Sequence, residues 1–283
     1  YSNMVANEMF LDTTSKGDNA ASLAKMLGYT PKSKRCASAT LQVINGGASN
    51  YFIDLGDLVA TSANTYWHYW TSGGVTLGAG ATANIDVYGT RQGGAIAAPV
   101  VDSLVIPHTD VDTSTLKVNV VENGLPVEYI KSSNIVSGLS GNDKIYFLDT
   151  AYDGYYKIKF GDGVFGAKVP SANETKIQYI RGNNGPADNG INTFTDSLGS
   201  SMSILRVIKS SRGGANPDTL EDIKFNAPAY FQSQNRAVTQ KDYKALATQE
   251  LRTISSMSVW GGEDSNPPRY GRVFVSTTSP TEI

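Results

Sequence analysis

The chain has 283 residues, a formal net charge of −2 and 18% charged residues, against about 25% in an average soluble domain. Its length allows two or three domains of roughly 100–200 residues each, and its 40% hydrophobic content is enough to build their cores. Nucleic acid and membrane are excluded as expected partners, because the basic residues are scattered and no apolar run approaches the ~20 residues of a membrane helix.

The use of glycine, tyrosine and cysteine narrows the class of protein further. The 28 Gly and 15 Tyr favour short strands joined by tight turns. A surface poor in charge is typical of β-rich proteins and of proteins that contact neighbours over much of their surface. The single cysteine, Cys36, excludes an internal disulfide and is typical of a reducing compartment. The two ends of the chain read as cuts through a longer protein.

The first thirty residues are expected to be helical. Residues 3–12 have a 3.6-residue apolar period, which predicts one helix. A second helix follows, with Asp18 as its expected N-cap and Gly28 as the left-handed residue after its last turn. Pro31 then blocks continuation. Three residues form the expected apolar face of this second helix: Leu23, Met26 and Leu27.

From Cys36 onwards the apolar period changes to two, which predicts two consecutive β-regions. The first holds short alternating runs between residues 36 and 89. An Ala- and Pro-rich join at 93–100 leads into the second, which ends near residue 180. A further run, 201–211, has no partner nearby in the sequence. We expect it to return to the first sheet, which makes the second β-region an insertion.

The last seventy residues predict two helices and then two strands. Asn216 is the expected cap of the first helix and Pro217 its first residue, while Pro228 is expected to end it. The inward-facing residues of this helix are expected to be Leu220 and Ile223. The second helix is expected to start at Thr239, which forms a capping box with Asp242, while Val238 and Tyr243 form a hydrophobic staple.

These elements predict a mainly β, multidomain chain that ends in an α+β domain. We expect a helical segment over 1–30 and a first sandwich- or barrel-like β-domain over 31–98, completed by 195–212. The inserted β-domain is expected over 99–194. The helix–helix–strand–strand domain is expected over 213–283, with its strands near 254–260 and 271–277.

The stretch "FGDGVFGAKVP" is the most suggestive loop of the sequence. A calcium loop needs closely spaced carboxylates, whereas the nearest acids to Asp162 lie far along the chain. A phosphate loop needs a Lys and a following helix. The sequence therefore favours a tight hairpin turn, in which Gly161, Asp162 and Gly163 form the turn with glycines at positive φ, and Val164 starts the return strand.

No catalytic, cofactor-binding or metal-binding residue is expected. A Cys nucleophile needs an activating base, and nothing in the sequence brings Cys36, His68 and His108 together. Pairs of acids suited to glycoside hydrolysis occur by chance in any chain with 26 acidic residues. We therefore expect neither an enzyme nor a small-molecule substrate.

The aromatic run "TYWHYW" allows two interpretations. Alternating aromatic residues on a strand favour a core on one face and a contact surface on the other. The expected interface residues are Tyr66, Trp67, Tyr69 and Trp70, and the α+β unit after Gly213 is the second surface expected to carry the contact between copies. The same four side chains could instead form a platform for sugar rings, so a carbohydrate-binding module of a tail or surface adhesin is the alternative function.

Three stretches resemble the baseplate J-like family of contractile-tailed phages. They are "NMVANEMFLDTTSKGDNAASLAKMLGYTP", "FGDGVFGAKVPSANETKIQYIRGNNGPADN" and "GGANPDTLEDIKFNAPAYFQSQNRAVTQKDYKAL". Their order also matches that of the family. The motif residues that carry the resemblance are Gly161, Asp162, Gly163, Pro217, Arg236, Thr239, Asp242 and Tyr243. Within the family the chain is most similar to the C-terminal part of wedge proteins of the T-even type.

The resemblance implies a structural role without catalysis. Members of the family join into wedges, which close into a ring around the tail hub and change shape when the tail contracts. The implied partners are a second copy of the chain and other wedge and hub proteins. The implied location is the virion tail baseplate, after assembly in the host cytoplasm.

Overall fold

The computed structural model describes residues 6–62, 64–71, 73–99, 104–132, 139–170, 174–199, 201–234, 236–250 and 256–278. The chain forms two compact units. Residues 33–216 make the β unit, and residues 1–32 together with 217–283 make the terminal unit. The start of the chain therefore packs with its end, which local periodicity does not indicate. The finer domain boundaries expected from the sequence stay a prediction.

The β unit consists of strands joined by turns and short loops. In chain order the strands are β1 (Ser38–Asn45), β2 (Tyr51–Ile53), β3 (Leu58–Ser62), β4 (Thr65–Tyr69), β5 (Val75–Leu77), β6 (Thr82–Pro99), β7 (Leu104–Ile106), β8 (Val111–Glu122), β9 (Leu125–Lys131), β10 (Ile145–Thr150), β11 (Tyr156–Phe160), β12 (Thr175–Gly182), β13 (Thr195–Asp196) and β14 (Met202–Arg212). Alternating burial along β1 follows the period of two that predicts a half-buried strand.

Strand β6 links the two β-regions. Its first half pairs with β1 and β4, and its second half pairs with β12. The sheet order is β13–β3–β4–β6–β12–β8–β9–β10–β11–β7. Outside this order, β1 also pairs with β6, and β14 pairs with β1. Strands β2 and β5 form a separate ribbon. Because β14 pairs with β1, the expected return of the run 201–211 to the first sheet is confirmed.

Two large apolar cores and a smaller cluster of Cys36, Trp70 and Ile180 lie within the described part of the β unit. The first contains buried side chains from the segments before and after the second β-region in the sequence, among them Leu41, Trp67, Val87 and Met202. The second is built from the second β-region and includes Val118, Tyr129, Ile158 and Tyr179. Together with the α+β C-terminal part described next, these sheets confirm the mainly β fold class.

In its described residues, the terminal unit has three regular helices and a two-stranded ribbon. They are α1 (Gly17–Met26), α2 (Leu220–Ser233), α3 (Gln240–Glu250), β15 (Ser256–Gly261) and β16 (Val273–Thr278). Its core is small: Ala20 and Ala24 of α1 pack with Ile223 and Ala227 of α2 around Tyr29. The Tyr29 hydroxyl donates to Asp218 Oδ2 at 2.6 Å. The expected helix–helix–strand–strand order is confirmed, although residues 251–255 lie outside the described part.

Several expectations about the first helices are wrong. Helix α1 begins at Gly17 after Lys16, so Asp18 lies in its first turn and does not cap it. Met26 is 81% exposed, because the small residues Ala20 and Ala24 make the close contact with α2. Gly28 does have positive φ, as predicted. Of the first expected helix, residues 6–7 are helical and 8–13 form turns, while residues 3–5 lie outside the described part.

The expected ends of α2 are also wrong. Thr219, not Asn216, is the N-cap, and it forms a capping box with Asp222. Pro217 therefore lies before the helix. Pro228 lies inside α2, which continues to Ser233. The inward orientation of Ile223 and Leu220 is confirmed.

Candidate functional site

The Gly-Asp-Gly loop is a docked turn and not a hairpin. Strand β11 ends at Phe160, and no strand begins at Val164, so the expected return strand is wrong. Gly163 has φ +95°, as predicted, whereas the other positive φ of the loop belongs to Gly166 and not to Gly161. A Cβ on Gly161 would lie 2.2 Å from the Gly166 carbonyl. Close contact between loop backbones, rather than strand pairing, explains this glycine.

The Asp162 carboxylate stabilises this turn. Its Oδ1 accepts hydrogen bonds from the backbone N–H groups of Val164 and Phe165 at 2.8 and 2.9 Å. These bonds lower the pKa of Asp162, because they favour its charged form. Among the described residues, no three His, Cys, Asp or Glu side chains lie together in a group that could hold a metal ion. The hydrogen bonds of Asp162 therefore indicate a structural role, in which its carboxylate stabilises the turn.

The aromatic strand β4 lies almost wholly inside the β unit. Trp67, Tyr69 and Trp70 are 0%, 4% and 6% exposed. The Trp70 indole N–H donates to the Thr115 carbonyl at 2.9 Å. The expected core is therefore confirmed, but an interface at these three residues is wrong, because both faces of the strand are covered. Tyr66 is half-buried and keeps some surface.

Cysteine and the two histidines do not form a catalytic group. Burial first, and Asp112 second, raise the pKa of the Cys36 thiol well above its usual value, so Cys36 is an inert buried thiol. His68 Nδ1 lies 2.8 Å from the Gly56 carbonyl, and His108 Nδ1 lies 2.7 Å from the Tyr179 hydroxyl. In the part of the chain that the structure describes, neither ring is hydrogen-bonded to Cys36.

The motif residues of the last seventy positions shape the start of α3. Thr239 and Asp242 form the predicted capping box, with Thr239 N–H donating to Asp242 Oδ2 at 2.8 Å and Asp242 N–H donating to Thr239 Oγ1 at 3.3 Å. Arg236 is exposed, and its charge helps to lower the pKa of Asp242, after the larger effect of the Thr239 hydrogen bond. Val238 is 77% exposed, so little of the expected staple with Tyr243 is buried.

The ribbon of β15 and β16 is only partly covered, since β16 is exposed along most of its length. The two strands pair antiparallel, with Val259 opposite Val275 and Gly261 opposite Val273. Val273 and Val275 lie on one face, because side chains alternate along a strand, and they are 44% and 47% exposed. Within the described residues, β16 has no strand partner besides β15. It therefore presents an open edge and an apolar face.

Other large apolar side chains of the terminal unit are also exposed. Two of them lie on α2, where Phe225 is 78% and Phe231 is 49% exposed. The remaining ones are Met9, Phe10, Met26, Val238 and Tyr270. These residues and the two valines of β16 are called the apolar surface set. Exposed apolar groups in such number are typical of a protein that is covered by partners. The sequence predicted a contact surface in the α+β unit after Gly213 but not these side chains, and it placed Met26 on the apolar face of its helix.

The comparison with known families points to the same part of the chain. Residues 239–282 match the family model described as baseplate structural protein gp6, C-terminal domain I. The match supports a structural role in a phage tail baseplate. It covers α3, β15 and β16, the elements that carry the open ribbon. No curated protein matches the chain. None of the described helices is both long and apolar enough to cross a membrane.

Proposed function

We propose that the chain is a structural subunit of a tail-baseplate wedge, and that it joins wedges into a ring around the tail hub. In this proposal it is the C-terminal part of a J-like wedge protein of the T-even type, acts without catalysis, and assembles in the host cytoplasm. The observation that carries the proposal is the coincidence of two features. The family match covers the ribbon, and within the described residues the ribbon has an open edge and an apolar face.

The ribbon would bind by adding a strand and burying its valines. A two-stranded ribbon is marginally stable by itself, and the open edge of β16 offers unpaired backbone groups to another strand. Full burial of an exposed valine contributes roughly 1.5–3 kcal/mol, and these two valines, already about half buried, would gain about half of that each. A stable interface buries about 1,200–2,000 Å², which exceeds what two valines supply. Other members of the apolar surface set would therefore take part, in contacts with a second copy and with wedge and hub proteins.

The division into two units suits a subunit that rearranges when the tail contracts. Each unit has its own core, and the chain passes between the units at residues 32–33 and 216–217. Interiors are close-packed and resist deformation. A change of ring shape would therefore move the units as bodies and leave their cores intact.

The carbohydrate-binding alternative loses most of its proposed platform. Three of its four aromatic side chains are at least 94% buried, so they cannot stack on a sugar ring without unfolding strand β4. Of the four rings, only that of the half-buried Tyr66 is accessible to a sugar. The valines of the ribbon, by contrast, are exposed and can contact a partner without unfolding.

Val275→Asp tests the proposed assembly role. The variant places a charge on the exposed ribbon face, and it should abolish or greatly weaken co-sedimentation with purified wedge proteins of the same phage. Val164→Asp is the matched control, because Val164 is 65% exposed but lies in a loop of the β unit. Equal co-sedimentation of both variants, with unchanged circular dichroism, would contradict the role given to the ribbon.

A further inference from the structure

Six chain segments of the β unit converge on a polar cleft with a volume of about 980 Å³. Its walls include Lys34, Arg91, His108, Asp110 and Arg181. Segments that are distant in the sequence meet there, from Lys34, four residues before β1, to Asn183, directly after β12. No residue of the ribbon lines the cleft.

An irregularity in β6 brings Arg91 to this cleft. Gly182 of β12 pairs with Thr90 of β6, and Ile180 pairs with Ala95. One residue of β12 therefore faces four residues of β6, so this part of β6 bulges out of the ladder. Gly93 in this bulge has φ +65°. A Cβ on Gly94 would lie 2.7 Å from the Arg91 carbonyl, so the bulge needs glycine at both positions. Bulges of this kind re-aim side chains and are common beside functional sites.

One carboxylate in the cleft holds two arginines. Asp110 Oδ1 accepts from Arg181 Nε at 2.8 Å, and Asp110 Oδ2 accepts from Arg181 Nη2 and from Arg91 Nη1, each at 3.0 Å. A guanidinium carries five N–H donors, so most donors of Arg91 have no partner in the described part of the protein. If Asp110 served only to form a structural ion pair, one arginine would be enough to neutralise it. The second arginine, whose side chain is 52% exposed, adds charge that Asp110 does not neutralise.

The cleft is positively charged although the whole chain carries −2. Lys34 also lines it, and its Nζ donates to the Asn183 carbonyl at 2.5 Å. Three cations then face one carboxylate. The pKa of His108 is lowered, first by burial and then by the positive charges of Arg181 and Arg91. The negative charge of Asp110 acts in the opposite direction. The imidazole is therefore held neutral beside fixed positive charges.

We propose that this cleft binds an oxyanion through Arg91 and Arg181. Guanidinium groups recognise carboxylate and phosphate oxygens through paired N–H donors, and Asp110 fixes the two groups before a ligand arrives. The shared chemistry is a carboxylate or phosphate oxygen. Its source is either a free phosphate or an acidic peptide segment.

Histidine NMR tests the site, because the chain has two histidines and one of them lines the cleft. The intact chain is titrated with inorganic pyrophosphate and, separately, with a hexa-aspartate peptide. An oxyanion beside Arg91 should shift the His108 ring signals and raise the His108 pKa, while the signals of His68, which does not line the cleft, stay fixed. A response to only one of the two probes supports the site and identifies the source.

Arg91→Gln should weaken binding about tenfold, the loss expected for a charge-assisted hydrogen bond. Arg206→Gln is the matched control, since Arg206 is an exposed arginine of β14 that pairs with Gln42. The proposal is overturned if neither probe shifts His108 at millimolar concentration, or if Arg91→Gln and Arg206→Gln bind the probe equally.

Discussion

Gly163 provides a direct test of backbone strain in the docked loop. Its φ is +95°, and an added Cβ would find Lys168 Cβ at 3.9 Å, with nothing closer. Gly163→Val should therefore destabilise the fold through its backbone conformation and not through a clash, by about 1–3 kcal/mol. Asp162→Asn keeps a side-chain oxygen for the Val164 and Phe165 N–H groups and should cost less. Melting temperatures measured by circular dichroism would contradict this account if the two variants were equal.

His68 makes the stability depend on pH near neutrality. Its Nδ1 faces the Gly56 carbonyl, so Nδ1–H donates, and Nε2 is buried without a partner among the described residues. Burial lowers the pKa of His68 below 6.5. The unfolded chain then binds more protons between the two pKa values, so stability is complete above pH 6.5 and is lost as the pH falls below it.

The matching experiment is urea unfolding at pH 7.5 and at pH 5.5, with the His68 and His108 pKa values read by NMR. We expect a lower midpoint at pH 5.5 and a His68 ring in the Nδ1–H tautomer. A His68 pKa above 6.5 would contradict the account, because protonation would then stabilise the folded state.

At the scale of elements, the true start of α2 can be tested by substitution. Thr219 Oγ1 accepts from Asp222 N–H at 3.2 Å, and Asp222 Oδ2 accepts from Thr219 N–H at 2.9 Å. Thr219→Ala should cost about 1 kcal/mol of unfolding free energy, the usual effect of removing an N-cap. Asn216→Ala is the control, because Asn216 does not cap α2. The account would be contradicted if urea unfolding showed a larger loss of unfolding free energy for Asn216→Ala than for Thr219→Ala. Asn216 would then be the N-cap, as expected from the sequence.

The elements also show where sequence reasoning reached its limit. Thr239 with Asp242 was predictable, because a capping box is a local pattern. Pro228 misled, because the apolar contacts of Ile223 and Ala227 with α1 stabilise α2 beyond a residue that disfavours helix. The loop at Gly161 misled for a similar reason. Its glycines serve contacts with residues 140–145, which are distant in the sequence.

At the scale of the whole molecule, the sequence indicated a contact surface in the α+β unit after Gly213 but not the side chains that form it. The exposure of Phe225, Val273 and Val275 depends on which faces the helices and the ribbon cover within the terminal unit. Periodicity identifies an apolar residue but does not show whether a neighbour covers it. The burial of Trp67 and Trp70 is the opposite case. One face of this run was expected to be a contact surface, but Trp67 packs in the first core and Trp70 donates to the Thr115 carbonyl of β8. Of the two contact surfaces expected from the sequence, the aromatic strand is buried, whereas the α+β unit after Gly213 keeps exposed apolar side chains.

The mass of the purified chain in solution tests the central claim most directly. We propose a subunit that acts by contact, so light scattering over a concentration series should give at least twice the 30.2 kDa of one chain. Closed two-fold contacts are the commonest form of self-association, and the apolar surface set supplies the groups to bury. Val275→Asp should shift the mass towards one chain, while Val164→Asp leaves it unchanged. A mass of 30.2 kDa for the unaltered chain at high micromolar concentration would contradict the predicted self-association.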